Sequence, residues 1–216
     1  MSKKKVLLTI LAVMLVCCIA VTGTLAFLTK ESAQVTNTFV AAGGGELADT
    51  FELKEHIAEK QADGNYALGD TETTDTVTGT NYSVVPGVNL PKDPYVKVTG
   101  KTDAPAYMYI EVVDGLANTG LSYTLESCWA DTGLTGSHNG KIYVYSDANG
   151  AVILNEDTDQ DLTVGILVGD EVVVADGDAF NLTDTQVALS FYGYLAQANA
   201  GNGAASAFTA CFSTAE

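Results

Sequence analysis

The chain has 216 residues, 47% hydrophobic and 17% charged, with ten lysines, no arginine and a formal charge of −17. So apolar a chain is not disordered, and its length suits one domain of ordinary size plus a leader. Three of the lysines are Lys3, Lys4 and Lys5; taking their three positive charges from −17 leaves −20 on the rest. That surface repels nucleic acid and anionic lipid, which excludes DNA and RNA as default partners. High Gly, Thr, Val, Ala and Asp content suits an all-β extracellular protein.

The N-terminus reads as a leader. Lys3 to Lys5 precede the 16-residue apolar run Val6 to Val21, VLLTILAVMLVCCIAV. Thr24-Leu25-Ala26 then places small residues at the −3 and −1 positions of a cut between Ala26 and Phe27, the pattern of a secretory signal peptide. An uncleaved anchor is the alternative, because the 23 residues Val6 to Leu28 carry no charge and a bilayer needs about 20. Either way the lysines before the span place the rest of the chain outside the cytoplasm.

Residues 31–40, ESAQVTNTFV, are β-prone, with Val35 and Phe39 on one side of a pleat. AAGGGE, 41–46, is a flexible break in which three glycines allow the first segment to reorient. The organisation is therefore 1–26 leader, 27–45 N-terminal β segment and glycine hinge, and 46–216 domain. TFELKEHIAEK, 50–60, is the best helical candidate because Leu53 and Ile57 are one helical turn apart; a strand start is the alternative. Residues 61–81 are polar and turn-rich and read as a surface loop.

From Tyr82 the pattern becomes short strands with turn punctuation: YSVVPG, DPYVKVTGK, AYMYIEVVDG, LSYTLESCW, KIYVYS, AVILN, LTVGILVG, EVVVADG and QVALSFYGYLAQA. In AYMYIEVVDG, Tyr107, Tyr109 and Glu111 alternate with Met108, Ile110 and Val112. SDANG, 146–150, suits a hairpin connector. The prolines Pro91, Pro94 and Pro105 stand at strand starts or edges, where a missing N–H is tolerated. The expected fold is all-β, a two-sheet antiparallel sandwich of jelly-roll type, with an N-terminal signal helix and at most one short additional helix. In the small-residue tail, Phe208, Cys211 and Phe212 are positioned to dock on the core.

Chemistry-bearing motifs are sparse. Cys17 and Cys18 lie in the leader, leaving Cys128 and Cys211 as either two buried thiols or one disulfide. A disulfide closing so long a loop would contribute about 4–5 kcal/mol in the loop-closure model. His56 and His138 form no HExxH pair, and neither cysteine sits in a protease signature. Asp157, Asp159 and Asp161 are two apart, as in a calcium loop, but Leu162 and Val168 stand where such a loop needs Gly and Glu. A solvated acidic turn is the plainer reading, a weak calcium site the alternative. The pairs Tyr107/Tyr109, Tyr143/Tyr145 and Tyr192/Tyr194 fit either a half-buried sheet face or an aromatic face for glycan contact. No cofactor and no catalytic residue is expected.

The leader KKKVLLTILAVML…TGTLAFLT followed by VTNTFVAAG resembles exported proteins processed by the SipW-type signal peptidase of Gram-positive bacteria, the TasA and camelysin group. VVPGVNLPKDPYVKVTGKTDAPAYMYIEV is similar to that group's Pro-Gly and Lys-Asp-Pro segment and the strand after it. Trp129, KIYVY and LSFYGYLAQANA also match in order. The resemblance covers most of residues 3–200; residues 54–81 and the Gly/Ala-rich end match nothing in it. It implies a secreted, non-enzymatic subunit of extracellular biofilm-matrix fibres, whose N-terminal strand, anchored by Val35 and Phe39, completes the sheet of the next copy. Its partners would be other copies of itself, an accessory matrix protein and, during export, a SipW-type signal peptidase. The alternatives are a cell-surface adhesin or glycan-binding sandwich and, resting on resemblance only, a camelysin-like surface metalloprotease.

Overall fold

The computed structural model describes residues 29–32, 48–73, 80–182 and 187–212. The leader, the cut site at Thr24, Ala26 and Phe27, both anchors Val35 and Phe39, and the glycine hinge lie outside the described residues. Among those described, the protein is all-β, with antiparallel pairing throughout and one α-helix.

In chain order the first strands are β1 (Thr29–Ser32), β2 (Ala48–Lys54), β3 (His56–Lys60), β4 (Tyr66–Glu72), β5 (Leu90–Pro91) and β6 (Tyr95–Thr102). Next come β7 (Ala106–Asp114), β8 (Leu121–Ser122), β9 (Trp129–Thr135), β10 (Lys141–Asp147), β11 (Gly150–Ala151) and β12 (Ile153–Leu154). The last are β13 (Gln160–Gly165), β14 (Glu171–Val174) and β15 (Leu189–Gln197), followed by α1 (Ala204–Phe212). The main sheet runs β1-β15-β7-β10-β11, with β9 also on β10 and β12 also on β7. Smaller sheets are β13-β6-β2, β5-β14-β8 and the β3-β4 hairpin.

β7 and β15 pair along their whole length, from Ala106↔Gln197 to Asp114↔Leu189. Both are buried on both faces, so alternation gives each face its own apolar set. Met108, Ile110, Val112, Phe191 and Leu195 join a core with Phe51 and Leu53 of β2, Val96 and Val98 of β6, Val164 of β13, and Val172 and Val174 of β14. Tyr107, Tyr109, Tyr192, Tyr194 and Ala196 join a second core with Ile142 and Val144 of β10 and Ala207 and Phe208 of α1. The helix closes the second core through rings: Phe208 meets Tyr109 and Tyr194 edge-on at 5.1 and 5.4 Å, and Phe212 meets Tyr194 at 5.0 Å. The Tyr109 hydroxyl donates to the Ala204 carbonyl at its N-terminus (2.7 Å).

Two expectations change, and one open alternative is decided. Residues 50–60 are not a helix: Phe51 and Leu53 alternate into the core on β2, and the chain switches partner at Glu55, from β6 to β4. The polar stretch expected to be a loop supplies β4. Cys128 and Cys211 are free thiols and form no disulfide, because Cys128 packs on the first core and Cys211 on the second, across the main sheet. SDANG forms the expected hairpin, with Asp147 opposite Gly150 and the Asp147 carboxylate accepting the Asn149 N–H (2.7 Å).

The partner switch at Glu55 is fixed by polar groups. Glu55, 5% exposed, pairs with Lys92 at 2.6 Å, and its backbone exchanges hydrogen bonds with Thr73. Next to it, His56 donates its backbone N–H to Asp93 Oδ1 (2.9 Å), while Nδ1 lies 2.6 Å from Oδ2. The Asp93 hydrogen bond, with further attraction from Glu72 and Asp70, raises the His56 pKa above its ordinary value of 6.5. The Tyr95 hydroxyl and Lys54 hold the Glu72 carboxyl below its ordinary 4.5. A raised histidine stabilises fully below pH 6.5 and loses its contribution as pH rises through the folded value; a depressed carboxyl contributes above 4.5 and loses its contribution in acid. His56→Gln should therefore lower the urea midpoint at about pH 5.5 and leave it nearly unchanged at about pH 9. An equal loss at both pH values would show that charge on His56 is not what holds the hairpin.

Candidate functional site

The outer edge of β15 is the place where the fold and the sequence expectation meet. Four of its nine residues are covered by β1, in the register Thr29↔Ala196, Lys30↔Leu195, Glu31↔Tyr194 and Ser32↔Gly193. β1 lies inside the 27–45 N-terminal segment singled out in the sequence. A sheet edge is a row of backbone donors and acceptors, and a strand laid along it satisfies them irrespective of side chain.

Beneath that edge lies a polar cluster in an otherwise apolar core. Glu111, on β7, is fully buried. Its Oε1 accepts the backbone N–H of His138 (2.9 Å) and of Gly140 (2.8 Å). Its Oε2 accepts the Tyr194 hydroxyl (2.6 Å) and lies 3.0 Å from His138 Nδ1. A carboxylate has acceptors only, so the network assigns the ring proton of His138 to Nδ1. The ring itself stacks on Tyr192, centroids 3.5 Å apart and planes 7° from parallel.

The turn between β9 and β10 is shaped for this carboxylate. A Cβ on Gly136 would stand 2.2 Å from Glu111 Oε2, and one on Gly140 would stand 2.6 Å from the Val112 carbonyl and 2.7 Å from Glu111 Cγ. Asn139 completes the turn with a positive φ of 63°, tolerable for asparagine. Tyr194 thus ties the acceptor edge, directly opposite Glu31, through Glu111 to a turn on the far side of the sheet. Ser137 Oγ lies 3.2 Å from His138 Nδ1, the same nitrogen that faces Glu111. A nucleophile–base–carboxylate relay needs serine and carboxylate on opposite ring nitrogens, so this trio is a positioning network.

The other singled-out residues do not converge. Asp157, Asp159 and Asp161 are each exposed. Among the described residues no group of three or more His, Cys, Asp or Glu side chains is arranged to hold a metal ion. Tyr107, Tyr109, Tyr192 and Tyr194 lie in the second core, Tyr145 packs against Trp129 (5.9 Å) and Tyr143 is half-buried against the first core, so the six do not form one shared aromatic face. Glu111 was missed as a site residue. Its signal was a lone acid in the apolar run of AYMYIEVVDG, but the partner at His138 is 27 residues away.

No family model, curated protein or solved structure matches the chain.

Removing the Glu111 charge leaves two backbone N–H groups facing an amide that competes as a donor. Glu111→Gln should destabilise the fold by about 2–4 kcal/mol, the cost of breaking buried charge-assisted bonds, read as a shifted urea midpoint with unchanged slope. Tyr194→Phe, which removes one of the four bonds, should cost about 1–2 kcal/mol. A loss below about 0.5 kcal/mol for Glu111→Gln would show that the cluster holds nothing in place.

Proposed function

We propose that the protein is a secreted structural subunit of extracellular matrix fibres, a two-sheet jelly-roll-like sandwich whose N-terminal strand pairs with the β15 edge of the next copy. The observation that carries this reading is the position of β1 on the outer edge of the main sheet, next to residues already strand-paired on their other side. Further support comes from the resemblance to the TasA and camelysin group, the Gly43–Gly45 hinge before the domain and the leader that a SipW-type peptidase would remove between Ala26 and Phe27.

The physics of exchange favours such an assembly. A strand that pairs with β15 of its own chain makes the same backbone hydrogen bonds on β15 of a neighbour, so the two states differ little in contact energy. Linker strain and subunit concentration then decide between them. A copy that receives a strand from one neighbour and gives its own to another forms a head-to-tail contact that does not close, which generates a filament. In the β1 register extended along a neighbour, Val35 would fall opposite Ser190 and lengthen the pairing over the rest of β15.

The test mixes two singly substituted mature chains, Thr29→Cys and Ala196→Cys, both carrying Cys128→Ser and Cys211→Ser. Polymerisation followed by mild oxidation should give a disulfide between the two different chains, found by mass spectrometry of the fibre fraction. Fibres lacking that mixed disulfide would overturn the strand exchange. A mature protein that remains monomeric and shows no filaments by electron microscopy would overturn the fibre reading itself.

A further inference from the structure

The surface carries a groove unrelated to the β15 edge. It lies between the end of β7, the 115–120 connection, β8 with the extended residues after it, and Tyr143 of β10, and has a volume of about 550 Å³. That is within the roughly 300–1,000 Å³ typical of small-ligand sites. We infer that this groove binds a neutral oligosaccharide, with the rings of Tyr123 and Tyr143 as platforms and Asp114 as the principal acceptor of sugar hydroxyls.

The walls are built rather than loose. Asp114 Oδ1 accepts the Leu116 N–H (2.8 Å), and the Thr119 hydroxyl donates to the Leu116 carbonyl (2.6 Å) and accepts the Leu121 N–H (3.1 Å). Backbone bonds join the connection to three other segments: Gly115 N–H to the Ala188 carbonyl (2.9 Å), Ala175 N–H to the Gly120 carbonyl (2.8 Å) and Asn181 N–H to the Thr119 carbonyl (3.0 Å). Gly120 sits at φ 79°, and a Cβ there would stand 2.5 Å from the Ala179 carbonyl. Opposite this wall, the Val168 N–H is bound to the Thr124 carbonyl (2.9 Å). A pre-formed groove loses little conformational entropy on binding.

The lining states the ligand chemistry. Tyr123 and Tyr143 are half-buried, so each presents part of a ring while its base is fixed in the core. Aromatic rings of this kind offer an apolar face with a polar tip, which matches a sugar ring with its C–H face and rim of hydroxyls. The Asp114 Oδ2 atom has only a long contact of 3.4 Å from the Tyr123 hydroxyl. The Tyr143 hydroxyl has no hydrogen-bond partner among the described residues. Asn118, Ser122 and Thr124 are exposed along the same groove. Hydroxyls both donate and accept, and this set of a carboxylate, an amide and hydroxyls serves both directions. No lysine lines the groove and the chain has no arginine, so phosphate, sulfate and acidic sugars are repelled by Asp114.

The inference is independent of fibre formation and is tested on the mature chain kept below the concentration at which it assembles. Amide NMR spectra are followed during titration with cellohexaose, chitohexaose, laminarihexaose and maltohexaose, and with a proline-rich decapeptide as the competing class. At least one hexasaccharide should give saturable shifts confined to residues 114–125 and 143, with a Kd of about 1 mM or tighter. Asp114→Asn keeps the oxygen that caps Leu116 but removes the charge, and should weaken binding about five- to ten-fold; Tyr143→Phe should weaken it about three-fold. Ser206→Ala, on α1 across the main sheet, should change nothing. The inference is overturned if no sugar saturates by about 10 mM, if the shifts map elsewhere, if Asp114→Asn binds as well as the parent, or if only the peptide occupies the groove.

Discussion

The pairing of β7 with β15 is the constraint on which the rest depends. Nine residue pairs join them without a bulge, and both strands are buried on both faces. A sheet whose two central strands are apolar on each side must be covered twice. The strands β2, β6, β13 and β14 supply one cover. A single nine-residue helix supplies the other, and it succeeds because its aromatic residues reach where its alanines do not: Phe208 fills the space between Tyr109 and Tyr194. Burial of one aromatic ring stabilises by about 1.5–3 kcal/mol, substantial beside a helix too short to persist alone.

Placing a carboxylate in that second core is costly in itself, since a buried charge is tolerated only when its acceptor sites are filled. Glu111 satisfies this by drawing two backbone N–H groups from one turn and a hydroxyl from the neighbouring strand. The consequence is directional. The glycines Gly136 and Gly140 have no space for a side chain, the turn between β9 and β10 has one permitted shape, and the Tyr194 hydroxyl is fixed on Glu111 of the neighbouring strand β7. In the proposed fibre, this rigidity keeps the acceptor edge in register while its strand is exchanged, because β15 is held by β7 on one side and through Tyr194 to the turn.

Much of the β framework was legible in local alternation. The strands β6, β7, β10, β14 and β15 follow from period-two patterns rich in Val, Ile and Tyr. What misled was ambiguity at short range. In TFELKEHIAEK the i, i+4 pair Leu53 and Ile57 suggests a helix, but Phe51 and Leu53 at i, i+2 suggest a strand equally, and only pairing with Val96 and Val98 decides. WADTGLT, which forms β9, carries Asp, Thr and Gly at exposed edge positions and so has little alternation to read. YSVVPG looked like a strand but hydrogen-bonds into turns around Gly87 instead. The helix in AASAFTACF had a signal in its alanine content, and its docking residues were identified before its shape was. The Glu111 cluster was illegible because its parts come from two separate strands and a turn, and no local window contains Glu111 together with any of its partners.

An acidic coat shapes how such a molecule associates. A formal charge of −17 with no arginine makes face-to-face contact between copies repulsive within the Debye length, about 8 Å at physiological salt. Among the described residues the large exposed apolar side chains, Leu68, Val85, Ile153, Val168 and Val173, are between 38% and 51% accessible and come from five different segments. Backbone pairing along a strand edge escapes the difficulty, since its donors and acceptors are uncharged and its interface is one strand wide. In the proposed assembly the same charge that keeps the bodies of neighbouring subunits apart leaves the thin β15 edge as the place where they join.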